Sequence, residues 1–234
     1  NNLRNKGATK ALLISATGTG KTYLSAFDAQ AFKPMRLLFV VHRRTIALKS
    51  LQTFQNIFGS DKTMGIYSGA QQESDKDFLF STVQTISKQS HLDQFDKSYF
   101  DYIVIDESHR SATESYKKLI KHFEPKFLLG MTATPERTDG EDIFSLFDHN
   151  IAYEIRLNRA MEEGMLSNFH YYGVADLMVG GVVQENTRDF ALLSSDKRVE
   201  HIIEHAQFYG SDNGITRGLV FCSRNEESKK LAEM

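Results

Sequence analysis

Short runs of apolar, often β-branched or aromatic residues alternate along the chain with longer segments in which apolar positions recur at helical spacing. The runs are Ala11 to Ser15, Leu37 to Val41, Gly65 to Tyr67, Phe78 to Ser81, Tyr102 to Ile105 and Phe127 to Met131. Because they do not alternate with polar residues, they predict strands buried on both faces, which means a parallel sheet wrapped by helices. Between them, Thr45 to Phe58 carries Ala47, Leu48, Leu51, Phe54 and Phe58 at helical spacing and ends at Gly59, as a helix closed by glycine does. The expected fold is therefore α/β, three-layered and mostly parallel, with any ligand bound beyond the carboxyl ends of the strands.

After Thr134-Pro135 the pattern changes to charged, turn-forming residues, and Ala160-Met161-Glu162-Glu163-Gly164 reads as a helix stopped by glycine. A boundary near Leu166 divides the chain into a first domain, 1–165, and the opening of a second, 166–234. The second is expected to begin with a strand at Phe169 to Val174 and turn around Gly180-Gly181. It then enters a helix with Val199, Ile202, Ile203 and Ala206 on one face, and forms a strand at Leu219 to Cys222. Ser223-Arg224-Asn225-Glu226 has the spacing of a capping box at the start of a last helix.

Composition narrows the picture. A 41% hydrophobic and 25% charged chain with net charge −2 is ordinary globular protein without the basic excess of a nucleic-acid coat, so any polyanion contact must be local. The single cysteine, Cys222, lies in an apolar run and excludes a disulfide framework, which points to a reducing, cytoplasmic setting. No apolar run approaches the roughly 18 residues of a membrane span, so no membrane partner is expected. The chain opens without Met and closes in a helix-like segment, and is expected to be a piece of a longer one.

The strongest chemical signal follows the first run. Ala16-Thr17-Gly18-Thr19-Gly20-Lys21-Thr22 links a strand to a helical stretch from Tyr23 to Ala31. Glycines at 18 and 20 let backbone N–H groups turn around phosphate oxygens at a helix N-terminus. Lys21 can reach the β and γ phosphates and the Thr22 hydroxyl can reach Mg²⁺. Thr17 to Thr22 are thus the candidate ATP-binding residues. The GxxxxGK[ST] pattern departs at its first position, where Ser15 replaces glycine. A flexible turn with a solvated lysine is the plain alternative.

Tyr102 to Ile105 delivers Asp106-Glu107-Ser108-His109 to a strand's carboxyl end. Phosphoryl transfer to water needs one carboxylate to hold Mg²⁺ and another group to orient and deprotonate the water; Asp106 suits the first role and Glu107 the second. Alone, such a pair equally reads as acids satisfying a helix N-terminus.

With Ala16 to Thr22, this Asp-Glu-Ser-His sequence resembles motifs I and II of the superfamily 2 helicases, in the DEXH branch. Thr132-Ala133-Thr134 resembles motif III, and its extension Pro135-Glu136-Arg137 is similar to the subgroup that contains restriction-enzyme motor subunits. Val40 to Arg44 resembles motif Ia, Ser81 to Thr85 the Thr-x-Gln element before motif II, and Leu219 to Arg224 motif IV. The resemblance implies a RecA-like P-loop domain followed by the start of a second. It implies catalytic roles for Lys21, Asp106, Glu107 and His109, Mg²⁺ on Thr22 and Asp106, and coupling of hydrolysis to movement by Thr132, Ala133 and Thr134. It also implies a nucleic-acid partner, DNA more than RNA, and accessory domains such as a nuclease elsewhere. Motifs V and VI, the latter with the family's arginine finger, would follow Met234, so this chain alone is expected to bind ATP and hydrolyse it poorly.

The nucleic-acid candidates are Arg43, Thr82, Gln84 and Thr85, with Arg137 behind them, all suited to a sugar-phosphate backbone rather than base edges. Arg43-Arg44 also reads as a solvated strand end, and Thr82 and Thr85 as helix caps. His201-Ile202-Ile203-Glu204-His205 matches the spacing of inverted zinc peptidases, but its isoleucines and Ala206 read more simply as a packing face. The expected function is an ATP-driven helicase or translocase. A duplex DNA translocase that separates no strands and a nucleotide-gated binding module with little hydrolysis remain alternatives.

Overall fold

The computed structural model describes residues 2–108, 114–136, 142–175, 178–179, 182–183, 195–210 and 218–233. It divides into two compact units, Asn1–Asn168 and Phe169–Met234.

In the first unit the elements run α1 (Asn2–Asn5), β1 (Lys10–Ser15), α2 (Lys21–Phe32), β2 (Leu37–Val41), α3 (Arg44–Phe58), β3 (Met64–Ser68) and β4 (Gln71–Gln72). They continue with β5 (Phe78–Thr82), α4 (Val83–Ile86), α5 (Gln89–Leu92), β6 (Tyr102–Asp106), α6 (Glu114–His122), β7 (Phe127–Thr132), α7 (Ile143–Leu146), β8 (Ile151–Ile155) and α8 (Leu157–Glu162). All six expected runs are strands, each within a residue or two of its expected bounds. The eight strands form one sheet in the order β4-β3-β5-β2-β6-β7-β1-β8, and every pairing is parallel except β3 with β4.

The uninterrupted apolar runs explain the layering. Successive side chains point to opposite faces of a strand, so Ala11 and Leu13 join Leu37, Phe39 and Val41 under α2 and α3, where Ala26, Ala47 and Phe54 meet them. Leu12 and Ile14 join Leu38, Val40, Ile103 and Ile105 on the other face, with Ile86, Leu119 and Phe147. Phe54 packs edge-on against Phe39, Phe78 and Phe80. Gly130 faces Phe147 so closely that a Cβ there would stand 2.3 Å from the ring. Two strands were not expected: the short antiparallel β4, and β8, whose residues are exposed except Ile155.

The second unit contains β9 (Met178–Val179) paired antiparallel with β10 (Val182–Val183), α9 (Asp196–Tyr209) and α10 (Asn225–Glu233). Both helices lie where the pattern puts them. Two expected strands do not form: Phe169 to Val174 and Leu219 to Cys222 carry no strand. Leu219, Val220 and Phe221 are 86%, 64% and 90% exposed, because among the described residues no neighbouring strand pairs with them. The capping acid is also one residue later than expected. Glu227, not Glu226, accepts from the Ser223 backbone N–H at 3.0 Å and from its hydroxyl at 2.9 Å. Among the described residues no helix is long and apolar enough to cross a membrane.

Candidate nucleotide site

Parallel register brings the carboxyl ends of the central strands to one edge. Ile14 stands beside Thr132, Asp106 beside Met131, and Val41 beside Thr82. The loop after β1, the acidic pair after β6 and the threonines closing β7 therefore line up across β6-β7-β1, although more than a hundred residues of chain separate the first from the last.

Gly18 and Gly20 sit at φ 90° and 84°, left-handed conformations that side chains with a Cβ resist, and Gly20 is the N-cap of α2. The Lys21 ammonium donates to the Ser15 and Ala16 carbonyls at 3.0 and 3.3 Å. Ser15, the departure from the glycine pattern, has its hydroxyl 2.5 Å from that of Thr19, which in turn donates to the Ala16 carbonyl at 2.6 Å. The loop is thus braced from within by hydroxyls. Sequence reading missed this clasp, and its signal was the serine itself, treated only as a missing glycine.

The acidic pair lies close enough for charge coupling. Burial lowers the Lys21 ammonium from its ordinary pKa, and Asp106 and Glu107 oppose that shift. Burial, reinforced by the Glu107 charge, raises Asp106 to about 6 even though it accepts the Glu107 backbone N–H at 3.0 Å and lies near Lys21. Among the described residues, the two neighbouring carboxylates are set against the Lys21 ammonium, and a divalent cation would relieve their repulsion. Glu107 adopts φ 53°, a strained conformation for a residue with a Cβ and typical of functional positions. Thr132 is buried, and its hydroxyl accepts the Thr134 backbone N–H at 3.1 Å, which fixes the turn out of β7; Ala133 is half-buried and Thr134 exposed. His109 lies outside the described residues, as does Arg137.

The nucleic-acid candidates separate. Arg43, the N-cap of α3, and Gln84 on α4 are exposed. Thr82 and Thr85 are buried and share a hydroxyl contact of 3.0 Å. Thr82 also meets the Ser68 hydroxyl at 3.0 Å, and Thr85 accepts the Gly69 backbone N–H at 3.3 Å. Thr82 thus ties β5 to β3, and Thr85 ties α4 to the residue after β3, rather than facing outward. In the second unit, His201 and His205 on α9 are hydrogen-bonded to the backbone carbonyls of Ala175 and His201 at 3.0 and 2.8 Å.

Comparison with known proteins gives this geometry a context. The family profile described as Type III restriction enzyme, res subunit matches residues 1–137. A Saccharomyces cerevisiae protein provisionally named as the ATP-dependent helicase IRC3 is 29% identical over 222 residues, which cover 83% of this chain and 31% of the relative. A type I restriction enzyme EcoAI endonuclease subunit of Escherichia coli is 26% identical over 256 residues, covering 96% of this chain and again 31% of the relative. The chain thus spans about a third of the length of these relatives. Among solved structures, a fragment assigned provisionally as an HsdR subunit of a type I restriction enzyme from Vibrio vulnificus YJ016 superposes with a TM-score of 0.63 at 22% identity, covering 99% of this chain and 42% of that one.

Proposed function

The chain belongs to the family of the type III restriction enzyme res subunit, and from that premise we propose that it is the ATP-binding part of a nucleic-acid-dependent motor, a helicase or translocase that runs on DNA. The observation that carries the reading is the alignment of the braced phosphate loop, the Asp106-Glu107 pair and Thr132 along one edge of the sheet.

Thr17 to Thr22 cradle the phosphates. The loop N–H groups and the α2 N-terminus supply positive potential, and Lys21 leaves the Ser15 and Ala16 carbonyls for phosphate oxygens. Thr22 and Asp106 are the residues that would hold Mg²⁺, which neutralises developing charge on the phosphates when bound. The raised pKa of Asp106 supports this fit, because a neighbouring cation would return the carboxyl to its ionised form. Glu107 orients the attacking water and takes its proton, assisted by His109. The Thr132 to Thr134 turn leaves the same edge and carries the state of the phosphates toward the strand-binding surface, where Arg43 and Gln84 are the exposed candidates and Arg137 a further one. A cytoplasmic setting belongs to the reading, supported by the single cysteine, Cys222.

A second form of the proposal is translocation on duplex DNA without strand separation, within a longer protein that carries accessory domains, and the likeness to a type I restriction enzyme endonuclease subunit is what brings it forward. Hydrolysis measured on the longest available protein, with duplex DNA, single-stranded DNA, RNA or no polymer, tests both forms beside Lys21→Ala and Glu107→Gln. Stimulation by DNA that both variants abolish supports the motor, and the preferred DNA form identifies the track. Hydrolysis indifferent to every polymer would replace the motor with a nucleotide-gated binding module.

A further inference from the structure

The phosphate loop has an apolar neighbour from a distant part of the sequence. Gly164, at φ 68°, turns the chain back after α8, and the Met165 and Leu166 backbone N–H groups both donate to the Ala160 carbonyl, at 2.9 and 3.2 Å. This fold-back seats Leu166 in a small cluster with Ala16, Ile155 and Ala160, separate from the two large cores. The Ala16 N–H donates to the Ile155 carbonyl at 3.0 Å, so the root of the loop is tied to the same cluster. Beyond it, a Cβ built on Gly18 would meet Leu166 Cδ2 at 3.1 Å. Leu166 therefore lies against the α-carbon of a glycine whose backbone must wrap phosphate, and the first unit ends two residues later at Asn168.

We propose that Leu166 is a positioning residue that couples occupancy of the phosphate loop to the segment leading out of the first unit. The inference rests on the ATP reading above. Phosphate binding fixes the backbone at Gly18, and a fixed Gly18 gives Leu166 a fixed surface to pack on. The turn from Gly164 to Leu166 then opens less often. The cluster buries only Ala16, Ile155 and Ala160 besides the half-buried Leu166, so the contact adds little to global stability and its loss is felt locally. Coupling of this kind is reciprocal, so what the nucleotide does to the turn the turn does to nucleotide affinity.

Hydrogen exchange of the whole protein, with and without Mg²⁺ and a non-hydrolysable ATP analogue, tests this in the native protein, Leu166→Ala and Leu166→Met. In the native protein the analogue slows exchange across residues 16–22 and slows the Met165 and Leu166 amides by about fivefold. Leu166→Ala keeps the first effect and loses the second, with an affinity loss no greater than the same factor, and Leu166→Met, which restores reach and volume, recovers the second effect and the affinity. If Leu166→Ala merely loosened the turn, exchange would rise with and without the analogue while the ratio persisted, and that result overturns the proposal. A ratio lost equally in Leu166→Met also overturns it. No slowing at residues 16–22 in the native protein would instead overturn the ATP reading and this inference with it.

Discussion

Phe54 and Phe221 are the same side chain, the first in a helix whose apolar residues recur at helical spacing and the second in a continuous apolar run, yet one is fully buried and the other 90% exposed. The difference lies in what surrounds each in space. Phe54 meets rings from β2 and β5, strands that pair in parallel register with each other and with the rest of the sheet. Phe221 lies in a run with every local mark of a buried strand and no paired neighbour among the described residues. An apolar run is a request for burial, and only non-local partners can grant it.

The comparison breaks most visibly by substitution of the two phenylalanines. Phe54→Ala is expected to destabilise the first unit by about 3–5 kcal/mol, whereas Phe221→Ala should change stability by less than about 0.5 kcal/mol. Urea unfolding followed by circular dichroism reads both, and equal effects would remove the distinction. Next in size, Gly130→Ala pushes a methyl into the Phe147 ring and should cost about 1–3 kcal/mol in the same assay.

A third test concerns the site rather than the core. The folded-state pKa of Asp106 is raised to about 6 from 3.8, so the folded protein holds this proton more tightly than the unfolded chain. The ionised carboxylate therefore weakens folding, fully above about pH 6 and not at all below about pH 4. Asp106→Asn should stabilise the protein by about 1 kcal/mol at pH 8, and the gain should fade as pH drops through that window. Melting temperatures between pH 4 and 8 check the sign, and destabilisation at pH 8 would contradict it. At the site, the smaller effect is expected from Ser15→Ala, which removes the Thr19 clasp. A loss of about 0.5–1 kcal/mol, read as up to about fivefold weaker nucleotide binding, is the scale of one hydrogen bond.

What the sequence made legible follows the same divide. The glycine loop and the Asp106-Glu107 pair were legible as candidates because their residues are contiguous and bounded by runs that had to be buried. β8 escaped because an edge strand exposed at every residue but the last, Ile151-Ala152-Tyr153-Glu154-Ile155, needs no uninterrupted apolar run. Thr82 and Thr85 looked like outward hydroxyls, and only Ser68 at the end of the neighbouring strand and Gly69 just beyond it turn them inward. The seat of Leu166 on Gly18 depends on a fold-back that no local pattern announces.

The most direct test of the central claim is a calorimetric titration with a non-hydrolysable ATP analogue, with and without Mg²⁺, in the native protein, Lys21→Ala and Asp106→Asn. The account predicts Mg²⁺-dependent binding in the native protein, about a hundredfold weaker in Lys21→Ala, and binding in Asp106→Asn that no longer responds to Mg²⁺. Equal affinity in all three would contradict it.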